Sequence, residues 1–191
     1  VLIAPTKKDA LHKVLGLIPF DAKVGVGGSV TIREMGLIEA LTKRGNEVIH
    51  HWLPEVLPKE WLHYMTEAHN ADVYLCSSNA ITEDGKLLNI DSTGNRVASM
   101  IFGPKKVIVV AGKNKIVKNV EEAIKRLKNV AAPLNAKRHN ITELPCVATG
   151  ACADCDSPER ICRVITIMEK APNRIREPNL TVVLVAEKLG F

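Results

Sequence analysis

The strongest constraint on this chain is a repeated alternation of short apolar runs with stretches whose apolar residues recur at helical spacing. Val1 to Ala4 is followed by Lys7 to Ile18, where Leu11, Val14, Leu15 and Ile18 fall on one helical stripe. Pro19 ends that helix. A second apolar run, Ala22 to Val26, leads directly into Gly27, Gly28 and Ser29, and then into a helix carrying Ile32, Met35, Leu37, Ile38 and Leu41 toward Gly45. Glu47 to His50, Trp61 to His69 and Ala71 to Cys76 repeat the alternation. The last run has little polar alternation, as a parallel strand covered on both faces requires. Such a chain is expected to form an α/β, three-layer, Rossmann-like sheet, mostly parallel, with right-handed crossovers.

Punctuation residues sharpen the reading. Thr31 stands three residues before Glu34, the spacing of a reciprocal capping box, and Gly45 suits the left-handed position after a helix. Glu83-Asp84-Gly85 between Ala80-Ile81 and Leu87-Leu88 predicts a small hairpin inserted over the carboxyl edge of the sheet. A helix is expected from about Asn95 to Phe102, a strand over Lys106 to Ala111 and an amphipathic helix over Val120 to Val130, near which the parallel sheet is expected to end. Asn140 to Pro158 is irregular, and Val164 to Met168 and Leu180 to Val185 have the look of two final strands.

With 191 residues the chain is expected to form a single domain, 1–191, with a Cys-rich segment near 146–162. No apolar run approaches the roughly 18 to 20 residues of a membrane helix, so no membrane partner is expected. The start lacks the pattern of a secretory leader, which makes the cytoplasm the expected location. The first residue is Val rather than Met, so any segment before Val1 is unread. Basic and acidic residues are interleaved behind a net charge of +5, and aromatics make up 4%. Stacking platforms for single-stranded nucleic acid are therefore scarce, and a small anionic metabolite is expected as ligand rather than nucleic acid.

Gly25-Val-Gly-Gly-Ser-Val-Thr lies between a predicted strand and a predicted helix, where unpaired N–H groups and the helix dipole favour an anion. Gly27 and Gly28 lack Cβ atoms, so a phosphate or carboxylate can approach the main chain, and Ser29 and Thr31 add hydroxyls. The bland alternative is a tight strand-to-helix turn. The spacing is neither Gly-x-Gly-x-x-Gly nor a P-loop ending in Lys-Ser/Thr, so NAD and ATP are not the first expectation.

A second polar loop gathers Asn79, Thr82, Glu83, Asp91, Thr93, Gly94, Asn95 and Arg96 between a buried strand and a helix start. Glu83 and Asp91 are the candidate general bases, with Asn79, Thr82, Thr93, Gly94, Asn95 and Arg96 as ligand-binding candidates; a solvated hairpin is the plainer alternative. Cys146, Cys152, Cys155 and Cys162 crowd one irregular stretch, and Cys152-Ala-Asp-Cys155 has the spacing that brings two thiolates to one metal. Zinc and an iron–sulfur cluster are the candidate cofactors. Cys76 is expected in the core. His50 and His51 cannot both face one site in an extended chain, and packing or surface roles are expected of them.

Gly25 to Glu34 (Gly-Val-Gly-Gly-Ser-Val-Thr-Ile-Arg-Glu), Asn79 to Gly85, Gly94 to Ala98 and the closing Ala-Glu-Lys-Leu-Gly-Phe resemble lactate-utilisation (LUD) domain proteins over nearly the whole chain. That resemblance implies the wider superfamily of ribose-5-phosphate isomerases, glucosamine-phosphate deaminases and CoA-transferase-like proteins, with a Rossmann-like sheet and a site formed by the two loops. It implies a role in organic-acid, lactate-like metabolism, oxidoreductase subunits as partners and a homo-oligomer. The alternatives are an isomerase or CoA-transferase-like enzyme, or a non-catalytic subunit of an oxidoreductase assembly. Asn79 to Gly94 also resembles a segment of methylthioribose-phosphate isomerases in which an Asp is catalytic. Here Asn79 stands at that position, and an amide does not accept a proton as a carboxylate does.

Overall fold

The computed structural model describes residues 1–53, 55–172 and 179–191. The chain divides into two compact units, one of Val1–Ser77, Asn95–Asn114 and Ala171–Gly190, the other of Ser78–Gly94 and Lys115–Lys170 with Phe191. No helix among the described residues is long and apolar enough to cross a membrane.

In chain order the first unit contains β1 (Leu2–Ala4), α1 (Lys7–Leu17), β2 (Val24–Val26), α2 (Val30–Glu34), α3 (Leu37–Arg44), β3 (Val48–Ile49), α4 (Trp61–His69) and β4 (Val73–Cys76). The second unit supplies the hairpin strands β5 (Ala80–Thr82) and β6 (Leu87–Asp91), after which the first resumes with α5 (Asn95–Ile101) and β7 (Lys106–Gly112). β8 (Ile116–Val117), α6 (Val120–Arg126), α7 (Ala132–Arg138), α8 (Pro145–Thr149) and β9 (Val164–Met168) complete the second unit, and β10 (Leu180–Val185) returns to the first.

The first unit is a six-stranded sheet in the order β1-β10-β7-β4-β2-β3, parallel at every pairing. It is the central sheet of a three-layer, Rossmann-like α/β fold. Helices α1 and α3 pack together on one side and α4 and α5 on the other. The strands read as continuous apolar runs because both faces are covered: every residue of β2 and β4 is buried. One core joins Val14 of α1 and Leu37 and Leu41 of α3 to Val24, Leu75, Ile108 and Val183 of the strands. The expectation that the sheet ends near Val130 is corrected by β10, which lies second in the order, paired with the edge strand β1 on one side and with β7 on the other.

Local chemistry explains several boundaries. Thr6 caps α1 by accepting from the Asp9 N–H, and the Asp9 carboxylate accepts from the Thr6 N–H, a reciprocal capping box. The turn after α1 is held from a distance. Asn46 Nδ2 donates to the carbonyls of Pro19, Phe20 and Ala22 at 3.0, 3.1 and 2.9 Å, and Arg44 donates to those of Leu15 and Ile18. The single helix expected from Ile32 to Leu41 breaks at Gly36, whose φ of 67° starts α3 in a new direction. Gly45 closes α3 in the left-handed conformation, as its position suggested.

The second unit is a four-stranded sheet in the order β8-β5-β6-β9. The predicted hairpin is present as the antiparallel pair β5 and β6, turning through Gly85 at φ 93°. It is the centre of a sheet, because β8 joins β5 in parallel and β9 joins β6 antiparallel. Ala80, Leu88 and Ile90 form its core with Ala123, Leu127, Ala131 and Ala132. The helix expected to stop at Val130 continues through a π turn at Leu127–Ala131 into α7. Pro133 sits in the first turn of α7, and the wider turn upstream accommodates the N–H that proline lacks.

Candidate functional site

The three glycines at the end of β2 do different work. A Cβ on Gly25 would stand 2.0 Å from the Ala68 carbonyl oxygen, so this residue is what lets α4 lie against the strand. A Cβ on Gly27 would meet the Tyr74 hydroxyl at 2.6 Å and the Arg96 Cγ at 3.3 Å, and the Gly27 N–H donates to the Leu75 carbonyl at 3.0 Å. Only Gly28 is exposed. Its virtual Cβ meets nothing nearer than the Trp52 ring at 3.9 Å. The room for close approach that was expected over both Gly27 and Gly28 therefore belongs to Gly28; at Gly27 it is filled by Tyr74 and Arg96.

The hydroxyls beside the loop are engaged. Ser29 is the N-cap of α2, its Oγ accepting from the Ile32 N–H at 3.3 Å. Thr31 and Glu34 do not form the expected capping box. Thr31 lies inside α2, buried, and donates to the Leu189 carbonyl at 3.4 Å, while Glu34 accepts from the Gly190 N–H at 2.7 Å. Both residues fasten the closing segment of the chain to α2. Ser29 and Thr31 thus shape the loop, and its helix is a short one of five residues.

Trp52, which follows β3, is the hub of this edge. The Arg33 guanidinium lies 5.3 Å over its ring, and His50 stacks on it with centroids 5.1 Å apart at 28°. The Trp52 N–H donates to His50 Nδ1 at 3.3 Å, and its indole N–H donates to His51 Nε2 at 2.9 Å. Burial holds the His50 imidazole below its ordinary protonation range; Glu39 and Glu55 oppose that shift and Arg33 adds to it. Gly28, Arg33, His50 and Trp52 therefore converge at the carboxyl end of parallel strands β2 and β3, the edge where open α/β sheets bind ligands. Sequence spacing showed only the glycine. Trp52 lies 24 positions beyond Gly28, and the one available signal was that β3, like β2, ends at this edge.

The second polar loop divides between the units. Asn95 and Arg96 begin α5 in the first unit, where Arg96 is buried and donates to the Ser77 carbonyl at 3.1 Å. Asn79, Thr82, Glu83, Asp91, Thr93 and Gly94 belong to the second. There Asn79 Oδ1 accepts from the Ile90 N–H at 3.0 Å, and Asn89 Oδ1 accepts from the Asn79 N–H at 3.1 Å. The two amides clasp β5 to β6. Thr82 is buried and bonds Asp84 and the Lys86 N–H, shaping the turn. Glu83 is exposed in that turn. Asp91 lies at the other end of β6, four residue steps or about 13 Å along the strand from Leu87, and accepts from the Gly94 N–H at 3.1 Å; Thr93 is exposed beside it. The hairpin thus holds its two candidate bases at opposite ends.

Cys146 lies on α8, and Cys152, Cys155 and Cys162 follow in irregular backbone; all four are free thiols of intermediate burial, whereas Cys76 is fully buried in β4. Burial first, then the neighbouring thiols of Cys155, Cys162 and Cys152, pushes the Cys146 thiol up. Among the described residues no three His, Cys, Asp or Glu side chains converge as a formed metal site.

Comparison with known proteins agrees with this architecture. A family model described as LUD domain matches residues 1–185. A DUF162 family protein from Deinococcus radiodurans is similar in structure with a TM-score of 0.53 at 13% identity, over 97% of this chain and 88% of that one, and it shares the fold. Partial likenesses reach ribose 5 phosphate isomerase A from Neisseria gonorrhoeae, with a TM-score of 0.39 at 18% identity over 60% of this chain and 54% of that one. They also reach eIF2B delta from Chaetomium thermophilum, at 0.42 and 14% over 62% and 50%. No curated protein matches the chain.

Proposed function

Because the chain belongs to the LUD-domain family, whose model spans residues 1–185, we propose that it serves lactate-type organic-acid metabolism by binding a small carboxylate or phosphate-bearing metabolite beside Gly28. The observation that carries this reading is the convergence on Trp52 of an exposed glycine, a guanidinium and a buried imidazole. Each supplies what such a ligand needs. Gly28 leaves the main chain approachable. Arg33 offers a forked donor matched to a carboxylate or phosphate. The indole gives the carbon part of a small acid an apolar wall. His50, kept neutral by burial, adjoins the anion without adding a second fixed charge.

The test uses the indole as reporter. The chain has two tryptophans, so a Trp61→Phe background leaves Trp52 as the only emitter. Titration with lactate, pyruvate and inorganic phosphate is expected to give a saturable change in emission for at least one of them. Arg33→Ala, an exposed substitution, is expected to weaken binding roughly ten- to hundred-fold, the worth of a charge-assisted hydrogen bond. Gly28→Val is expected to abolish it by placing a branched side chain where the ligand approaches. Affinity unchanged in both variants would remove this edge from the site.

A further inference from the structure

The core of the second unit stops short of one edge of its sheet. The helices of the unit pack on β5, β6 and β8. Among the described residues β9 pairs with β6 only, at the end of the strand order. In that ladder Ile167 stands opposite Leu88, and Ile165 opposite Ile90. Directly opposed residues of an antiparallel pair share a face, so the two isoleucines extend the apolar face that Leu88 and Ile90 bury against the helices. Leu88 and Ile90 are 0% and 8% exposed, whereas Ile165 and Ile167 are 43% and 45% exposed. The apolar face therefore runs one strand further than its cover.

The outer edge of β9 suits a further strand. Val164-Ile-Thr-Ile-Met168 is rich in β-branched residues, and it carries neither the charge nor the proline by which proteins blunt an exposed edge. Side chains alternate along extended chain, and here Arg163, Ile165, Ile167 and Glu169 are exposed while Val164, Thr166 and Met168 are half-buried. The exposed stripe is thus cation, isoleucine, isoleucine, anion. Arg163 Nε and Nη2 donate to the carbonyls of Arg160 and Pro158, which are neutral and leave its charge uncompensated. Glu169 acts through space on Lys86, which is already paired with Asp84. Reversed, the stripe is complementary to itself.

We propose that the outer edge of β9 pairs antiparallel with β9 of a second copy of this chain, about a two-fold axis at Thr166, joining the two sheets into one. A two-fold contact uses the same patch twice, so what one copy offers the other must accept. Centred on Thr166, Ile165 meets Ile167 of the partner subunit, and Arg163 meets Glu169 of the partner subunit, each contact occurring twice. Centring on Ile165 instead would set Arg163 against Ile167, and centring on Ile167 would set Glu169 against Ile165. Both place a charge on an isoleucine, which the Thr166 register avoids. Main-chain hydrogen bonds across the new pair satisfy the outward N–H and C=O groups, and the isoleucines of each copy cover those of the other. A strand of five residues is a small contact beside the roughly 800 Å² per partner of a standard interface, so the dimer is reversible in the micromolar range. The pairing is independent of the anion site in the first unit.

Sedimentation velocity of the full chain across the micromolar range is expected to show monomer passing to dimer and no larger species, because a two-fold contact closes on itself. Ile167→Lys, at an exposed position, is expected to leave a monomer whose urea unfolding matches the parent. Arg163→Glu and Glu169→Arg, each setting like charges together at both ends, are expected to weaken association about ten-fold or more. An equimolar mixture of these two single variants pairs opposite charges at both ends again, and is expected to recover the parental association as a heterodimer. A parent that stays monomeric throughout, a dimer that survives Ile167→Lys, or a mixture no more associated than its components would each overturn the proposal.

Discussion

The Tyr74 hydroxyl stands 2.6 Å from the point where a Cβ on Gly27 would lie, whereas one residue further on a Cβ at Gly28 would find ordinary contact with Trp52 at 3.9 Å. Tyr74 is a fully buried residue of β4, so it has nowhere to retreat. Two adjacent glycines of one motif therefore answer to different demands, one to packing and one to access.

Gly27→Ala is expected to destabilise the fold by about 1 to 3 kcal/mol, the usual cost of forcing an extra carbon into a filled core. Gly28→Ala, at a position with space and no left-handed backbone, is expected to be neutral or to stabilise by up to about 1 kcal/mol through the unfolded chain. Urea denaturation of the two variants beside the parent gives the comparison. Equal losses would mean that Tyr74 does not occupy the space above Gly27.

Asn79 is a structural clasp. Asn79→Asp keeps an acceptor for the Ile90 N–H and is expected to fold with little loss. Asn79→Leu strands that N–H and is expected to cost about 1 to 3 kcal/mol. Chemical denaturation separates the roles: a Leu variant of parental stability would free Asn79 for a purely chemical function.

Asn46 holds the turn after α1 with three donated hydrogen bonds. Asn46→Asp replaces the donor with a carboxylate oxygen facing three carbonyls. A loss of at least about 1 to 3 kcal/mol is expected, read as a lowered thermal midpoint. An unchanged midpoint would show that the turn holds without this residue.

His50 makes part of the stability depend on pH. Its folded-state protonation lies below the ordinary value of 6.5 because of burial, with Arg33 adding to the effect and Glu39 and Glu55 opposing it. Between the folded and unfolded values the unfolded chain holds more protons, so stability rises with pH through that window. The contribution is fully present above about pH 6.5 and is lost as pH falls through the depressed folded value. His50→Asn, which keeps an acceptor for the Trp52 N–H, is expected to flatten this slope in denaturation curves from pH 7.5 to 5. An identical slope in parent and variant would assign the acid sensitivity to other groups.

What the sequence settled by itself was local. The alternation of apolar runs gave the α/β class, Glu83-Asp84-Gly85 gave the hairpin, and Trp61 to His69 coincides with α4 because periodicity and termination act within a few residues. Tertiary structure decided the roles. Thr31 and Glu34 have capping-box spacing, yet Thr31 donates to the Leu189 carbonyl and Glu34 accepts from the Gly190 N–H, each partner more than 150 positions away. β9 and β10 look alike as apolar strands, but one joins β6 and the other enters the parallel sheet beside β7. Gly28 announced a binding loop, while Arg33, His50 and Trp52 became its neighbours only when β2 and β3 lay side by side. A hydrogen-bond donor or an apolar face states in sequence that it needs a partner; which partner it gets is fixed by the packing of distant segments.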